Sequence, residues 1–60
     1  MTTPVSDASR KAIARNLREF GYAVTDEFVS QEIDRLLAGE KPTNAIGMFT
    51  ESQMKKNGLL

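Results

Sequence analysis

Serine hydroxyls and paired carboxylates are the side chains of this sequence whose types and spacing could support catalysis. A serine nucleophile needs a neighbouring base, and the chain contains no histidine and no cysteine. Two carboxylate pairs, Asp26 with Glu27 and Glu32 with Asp34, could act as general acid and base only if one carboxylate were buried and its neighbour were not. Both pairs fall on a predicted helix whose polar face must stay in water, so we expect solvated charges. We therefore predict no enzyme, no metal site and no cofactor site.

A group of cations on the first predicted helix is the feature that would favour nucleic-acid binding, because phosphate recognition needs a local excess of positive charge. The group consists of Arg10, Lys11, Arg15 and Arg18. Against this reading, eight basic and eight acidic side chains give the chain a formal net charge of zero. The third helical region would be the recognition helix, and its basic residues, Lys55 and Lys56, come at its far end. A helix-turn-helix-like nucleic-acid-binding regulator is therefore kept as the alternative function.

Large apolar residues are concentrated in the final stretch, IGMFTESQMKKNGLL. A chain this short needs some of them to close its core, and the others would be exposed to a partner. Aromatic and methionine side chains give a large and adaptable contact area. The residues that we assign to a partner-binding surface are Tyr22, Phe28, Met48, Phe49, Leu59 and Leu60.

The function favoured by these residues is a small non-catalytic protein-interaction module or regulatory adaptor of the cytoplasm. Its partner would be another protein, and a homodimer is left open. No apolar run approaches the ~20 residues needed to span a bilayer, so we expect no membrane partner.

Three helical regions must position these side chains, near residues 7–20, 26–38 and 44–57, since apolar residues recur at helical spacing in each. Polar cap residues mark the starts and glycines mark the ends. The predicted caps are Ser6 or Asp7, Thr25, and Thr43 or Asn44, and the predicted stops are Gly21, Gly39 and Gly58.

The third region carries a second start signal. Thr50 and Gln53 have the spacing of a capping box, so we expect this region to be bent near Thr50 or split into two short helices. The sequence thus predicts an all-α, small three-helix bundle over residues 6–60, preceded by a disordered tail over residues 1–5. The predicted core is Ile13, Leu17, Phe20, Val29, Ile33, Leu36, Leu37, Ile46, Phe49 and Met54.

The turn Phe20-Gly21-Tyr22 resembles the Met-Gly-Phe/Tyr turn that follows the first helix of ubiquitin-associated domains. The match covers three residues, of which the first departs from the pattern. The resemblance implies a helical architecture of this kind and nothing about function.

Overall fold

The computed structural model describes residues 5–60, which form three α-helices and, within that range, no β-strand. The helices are α1 (Asp7–Glu19), α2 (Asp26–Leu37) and α3 (Ala45–Lys56). The predicted all-α three-helix bundle is therefore confirmed. Residues 1–4, which make up most of the predicted tail, lie outside the described residues. Val5, the last residue assigned to that tail, is buried in the core, so this residue belongs to the packed domain and was wrongly assigned to the tail.

A polar side chain caps the start of each helix. Ser6 Oγ accepts a hydrogen bond from the backbone N–H of Ser9, Thr25 Oγ1 accepts from Phe28, and Asn44 Oδ1 accepts from Gly47. These bonds satisfy N–H groups of the first turn that have no partner within the helix. The capping predictions are confirmed, with Ser6 chosen over Asp7 and Asn44 chosen over Thr43.

The ends of α1 and α3 are set by a glycine in the left-handed conformation. Gly21 has φ +112° and Gly58 has φ +71°, values that a residue with a Cβ rarely adopts. After each glycine the chain turns back, so that Tyr22 N–H donates to Leu17 O and Leu59 N–H donates to Met54 O. The turn thereby packs Tyr22 and Leu59 against the core.

The core is formed by one face of each helix together with two residues that precede helices. Six of the predicted core residues are buried, and three more (Leu37, Ile46 and Phe49) are half-buried and packed against them. Ala14 joins the core because it lies beside Leu17 on the inner face of α1. The buried apolar residues of the core are Val5, Ile13, Ala14, Leu17, Val24, Val29, Ile33, Leu36 and Met54.

Phe20 was wrongly predicted to be a core residue: its side chain is 70% exposed. The spacing Ile13–Leu17–Phe20 places all three on one side of an ideal helix, but α1 ends at Glu19 and Phe20 is its C-cap. The buried face is centred on Ala14 and Leu17, so Phe20 falls at its margin. Its ring therefore lies at the edge of the bundle.

The predicted split of the third region into two short helices is wrong, because α3 is one helix that continues through Thr50. Thr50 is fully buried, and its hydroxyl donates to Ile46 O at 2.8 Å. A threonine inside a helix makes this bond to the preceding turn, whereas an N-cap threonine accepts from the turn that follows. The residues Thr50 and Gln53 have capping-box spacing without capping-box geometry.

Gly47 brings α3 close to α2. A Cβ at this position would lie 3.0 Å from Glu32 Oε1 and 3.0 Å from Pro42 Cβ. Glu32 is itself buried, so the predicted solvation of both carboxylate pairs is wrong for this residue. The absence of a side chain on Gly47 is what admits the Glu32 carboxylate and the Pro42 ring against the helix.

Candidate protein-interaction surface

Three aromatic rings meet where the end of α1 approaches α3. The ring centroids of Phe20 and Phe49 are 5.1 Å apart, those of Phe20 and Tyr22 are 6.1 Å apart, and those of Tyr22 and Phe49 are 6.2 Å apart. At these separations the rings contact one another in stacked, tilted and edge-on arrangements. They leave no open cage of the kind that surrounds a methylated ammonium group. We call Phe20, Tyr22 and Phe49 the aromatic cluster.

Next to the aromatic cluster, α1 and α3 make a contact between uncharged polar side chains. One turn from Phe20, Asn16 Nδ2 donates to Gln53 Oε1 at 3.1 Å. Because Asn16 lies opposite Gln53 and Phe20 lies opposite Phe49, the two helices run antiparallel here. No ion pair joins α1 to α3 anywhere in residues 5–60.

Further residues at helical spacing lie on the same face of each helix as Asn16 and Gln53, over about two turns. Ala12, Asn16 and Glu19 follow one another at i, i+4 and i+7 on α1, and Phe49, Gln53 and Lys56 do so on α3. The α1 members are exposed, as is Lys56, while Phe49 and Gln53 are half-buried. We call the following residues the seam surface: Ala12, Asn16, Glu19, Phe20, Tyr22, Phe49, Gln53 and Lys56.

The contact between α1 and α2 has the opposite character, because charged groups cross it. Arg10 donates to Val5 O, to Ser30 O and Oγ, and to Asp34 Oδ1, the last at 2.8 Å. Arg18 donates to Val24 O and pairs with Asp26 at 3.0 Å. Both guanidinium groups are therefore engaged within the fold.

This arrangement divides the predicted nucleic-acid-binding group. Arg10 and Arg18 hold the α1–α2 contact, while Lys11 and Arg15 are exposed and have no ion-pair partner among residues 5–60. Lys11, Arg15 and Arg18 recur at i, i+4 and i+7 on one face of α1, but the contacts of Arg10 and Arg18 within the fold leave only Lys11 and Arg15 of the four without an ion-pair partner among residues 5–60. Lys11 lines a shallow groove at the starts of α1 and α2, whose other lining residues are Asp7, Arg10, Asp26, Glu27 and Ser30.

The six residues predicted to bind a partner are not brought together. Tyr22 and Phe49 join the aromatic cluster, whereas Leu59 packs against the core. Phe28, Met48 and Leu60 are exposed by 44%, 62% and 49%, outside that cluster. Met48 follows Gly47 on the outer side of α3.

Phe20 is the member of the aromatic cluster that sequence reasoning missed. Its position directly before a helix-ending glycine was the available signal, since a C-cap side chain lies past the last full turn of the inner face. The periodicity that assigned Phe20 to the core assumes that α1 continues through this residue, but α1 ends at Glu19.

Several of the side chains considered for catalysis make structural contacts. Ser6 caps α1, and Ser30 accepts from Arg10 at 2.6 Å. The Glu32 carboxylate lies 3.7 Å from Arg35 Nη1, and within residues 5–60 no cluster of three or more acidic side chains is placed to hold a metal ion. These contacts bring no nucleophile next to a base.

Comparisons with known proteins give no relative from which a function could be transferred. No protein-family model, no curated protein and no solved structure matches this chain. Within residues 5–60, every helix is too short or too polar to cross a membrane. The seam surface therefore has to be interpreted from its own geometry.

Proposed function

We propose that this chain is a small non-catalytic protein-interaction module, a regulatory adaptor, whose binding face is the seam surface. The observation that carries the proposal is the 70% exposure of Phe20 within a cluster of three aromatic rings. A large apolar ring in water is unfavourable, and covering it with a partner recovers the hydrophobic free energy.

The surroundings of Phe20 support the same function. Fixed aromatic side chains make energetically dominant contacts in protein interfaces because they bury a large area and lose little conformational freedom. Phe20 is held by Tyr22 and Phe49, so its ring is already ordered before a partner binds. The amide pair of Asn16 and Gln53 supplies polar groups at the edge of the aromatic cluster.

The absence of histidine and cysteine from the chain supports a non-catalytic role. A cytoplasmic location stays a prediction. The engagement of Arg10 and Arg18 within the fold favours a protein partner over a nucleic acid.

The test is a comparison of two exposed phenylalanines in capture experiments from a lysate of the source cells. Phe20→Asp places a charge in the aromatic cluster, and Phe28→Asp makes the same substitution on α2, away from it. We expect Phe20→Asp to abolish capture and Phe28→Asp to leave it unchanged, with both variants giving the helical circular dichroism of the wild type.

Salt and nuclease separate the two classes of partner. Protein capture through apolar contacts should persist when the salt concentration is raised, whereas phosphate contacts weaken steeply. Capture that disappears with nuclease treatment, or that survives Phe20→Asp, would contradict the proposed function.

A further inference from the structure

We propose that the seam surface binds a second copy of this chain, related by a two-fold axis in the plane of the interface. The proposal rests on the protein-interaction function above and adds the identity of the partner. It comes from the placement of two opposite charges, Glu19 and Lys56, on the seam surface. Both are exposed, and neither has an ion-pair partner among residues 5–60.

These two charges lie at diagonally opposite corners of the seam surface. Since Asn16 lies opposite Gln53 in antiparallel helices, Glu19 is about one turn toward the aromatic cluster and Lys56 about one turn away from it. Glu19 belongs to α1 and Lys56 belongs to α3. The remaining two corners are Phe49 on α3 and Ala12 on α1.

The four corners form an approximate square. The axes of packed helices are about 8–10 Å apart, and the seven positions from Ala12 to Glu19 span about 10 Å along α1. Because the two dimensions are similar, a two-fold axis along the diagonal from Ala12 to Phe49 exchanges the other two corners. Glu19 of each copy then faces Lys56 of the other, so the complementary charge contact is made twice.

The apolar corners, Phe49 and Ala12, lie on this axis, so each faces the same residue of the second copy. The Phe49 rings, each with its Phe20 neighbour, meet at one end of the interface, where aromatic pairs gain from contact. At the other end the two Ala12 residues face each other, and their small side chains let the α1 helices approach closely. The copies carry no net charge, so no long-range repulsion opposes their association.

The expected dimer is a modest one. A standard interface covers about 800 Å² on each partner, roughly a fifth of the 4187 Å² accessible surface of this chain. An interface confined to the seam surface is at or below that size. We therefore expect dissociation constants in the range of roughly 1 µM to 1 mM.

The test is a charge-exchange series measured by sedimentation equilibrium over the expected concentration range. Glu19→Lys and Lys56→Glu each replace two attractive contacts by two repulsive ones, so each variant should weaken dimerisation about tenfold or more. The double variant Glu19→Lys/Lys56→Glu restores opposite charges and should return to within about threefold of the wild type. Lys11→Glu is the matched control, because Lys11 lines the groove at the starts of α1 and α2, and it should leave dimerisation unchanged.

Rescue in the double variant separates a lost contact from a damaged fold, and circular dichroism of each variant checks the helices directly. A wild type that stays monomeric throughout would overturn the dimer, and so would a dimer that is indifferent to the reversals or not rescued by the double variant. If the wild type is monomeric while Phe20→Asp still abolishes capture from the lysate, the second copy is excluded and the proposed interaction function stands.

Discussion

Gly47 shows at the scale of one residue how the packing of this small bundle depends on a missing side chain. The position is buried, and a Cβ there would meet the Pro42 ring and the Glu32 carboxylate at 3.0 Å each. The end of the Glu32 side chain can move, but the Pro42 ring is fixed to the backbone. A glycine inside a helix normally weakens it by about 1 kcal/mol relative to alanine, and here the close approach explains its presence.

We expect Gly47→Val to lower the free energy of unfolding by about 1–3 kcal/mol, the usual cost of overpacking. Helix propensity does not account for the loss, because valine is no worse than glycine within a helix. Chemical denaturation followed by circular dichroism measures the change. Ala45→Val is the control, since Ala45 is exposed on the same helix, and a loss of equal size in both variants would show that the contact with Pro42 is unimportant.

Individual side chains also show where sequence reasoning fails. The burial of Ile13, Leu17 and Ile33 follows from helical spacing alone and was predicted. The exposure of Phe20 could not be derived from spacing, because it depends on how the other helices pack around the end of α1. The engagement of Arg10 with Ser30 and Asp34 depends on which helix packs against which, and spacing within α1 does not contain that information.

Among the three elements, α3 differs from the other two helices because its sequence contains two separate signals for a helix start. The adjacent cap candidates Ser6 and Asp7, the cap Thr25 and the stop Gly21 differ by a residue at most, so α1 and α2 were predicted to within a residue at each end. In α3, Asn44 and Thr50 both read as start signals. The helix starts after Asn44 and not at Thr50, because Thr50 is buried in the core and its hydroxyl donates to Ile46 O in the preceding turn.

Substitution at the two candidate start positions distinguishes their roles. Asn44→Ala should lower the free energy of unfolding by about 1 kcal/mol, because the Gly47 N–H loses its capping acceptor. Thr50→Val keeps the shape of the side chain and leaves Ile46 O with its helical backbone donor, so we expect a change within about 0.5 kcal/mol. Denaturant titration of both variants gives these values. A loss near 1 kcal/mol in Thr50→Val with none in Asn44→Ala would contradict the single-helix description of α3.

At the scale of the whole molecule, the two contacts made by α1 have different chemistry. Two ion pairs, Arg10–Asp34 and Arg18–Asp26, join α1 to α2. The contact with α3 is made by amide and aromatic groups and leaves Phe20 exposed. The formal net charge of zero does not reveal that one contact of α1 is charged and the other is not. Because it arises from the arrangement of three helices, the seam surface could be recognised only after the fold was known.

The central claim is that the seam surface, and no other exposed apolar residue, meets the partner. It is tested most directly by photo-crosslinking in the source cells, with a benzoyl-phenylalanine placed at residue 20 or at residue 28. Both positions hold exposed phenylalanines, so the replacement is conservative at each. We expect a cross-linked species from residue 20, at twice the mass of the chain if the partner is a second copy, and none from residue 28. A cross-link from residue 28 with none from residue 20 would contradict it.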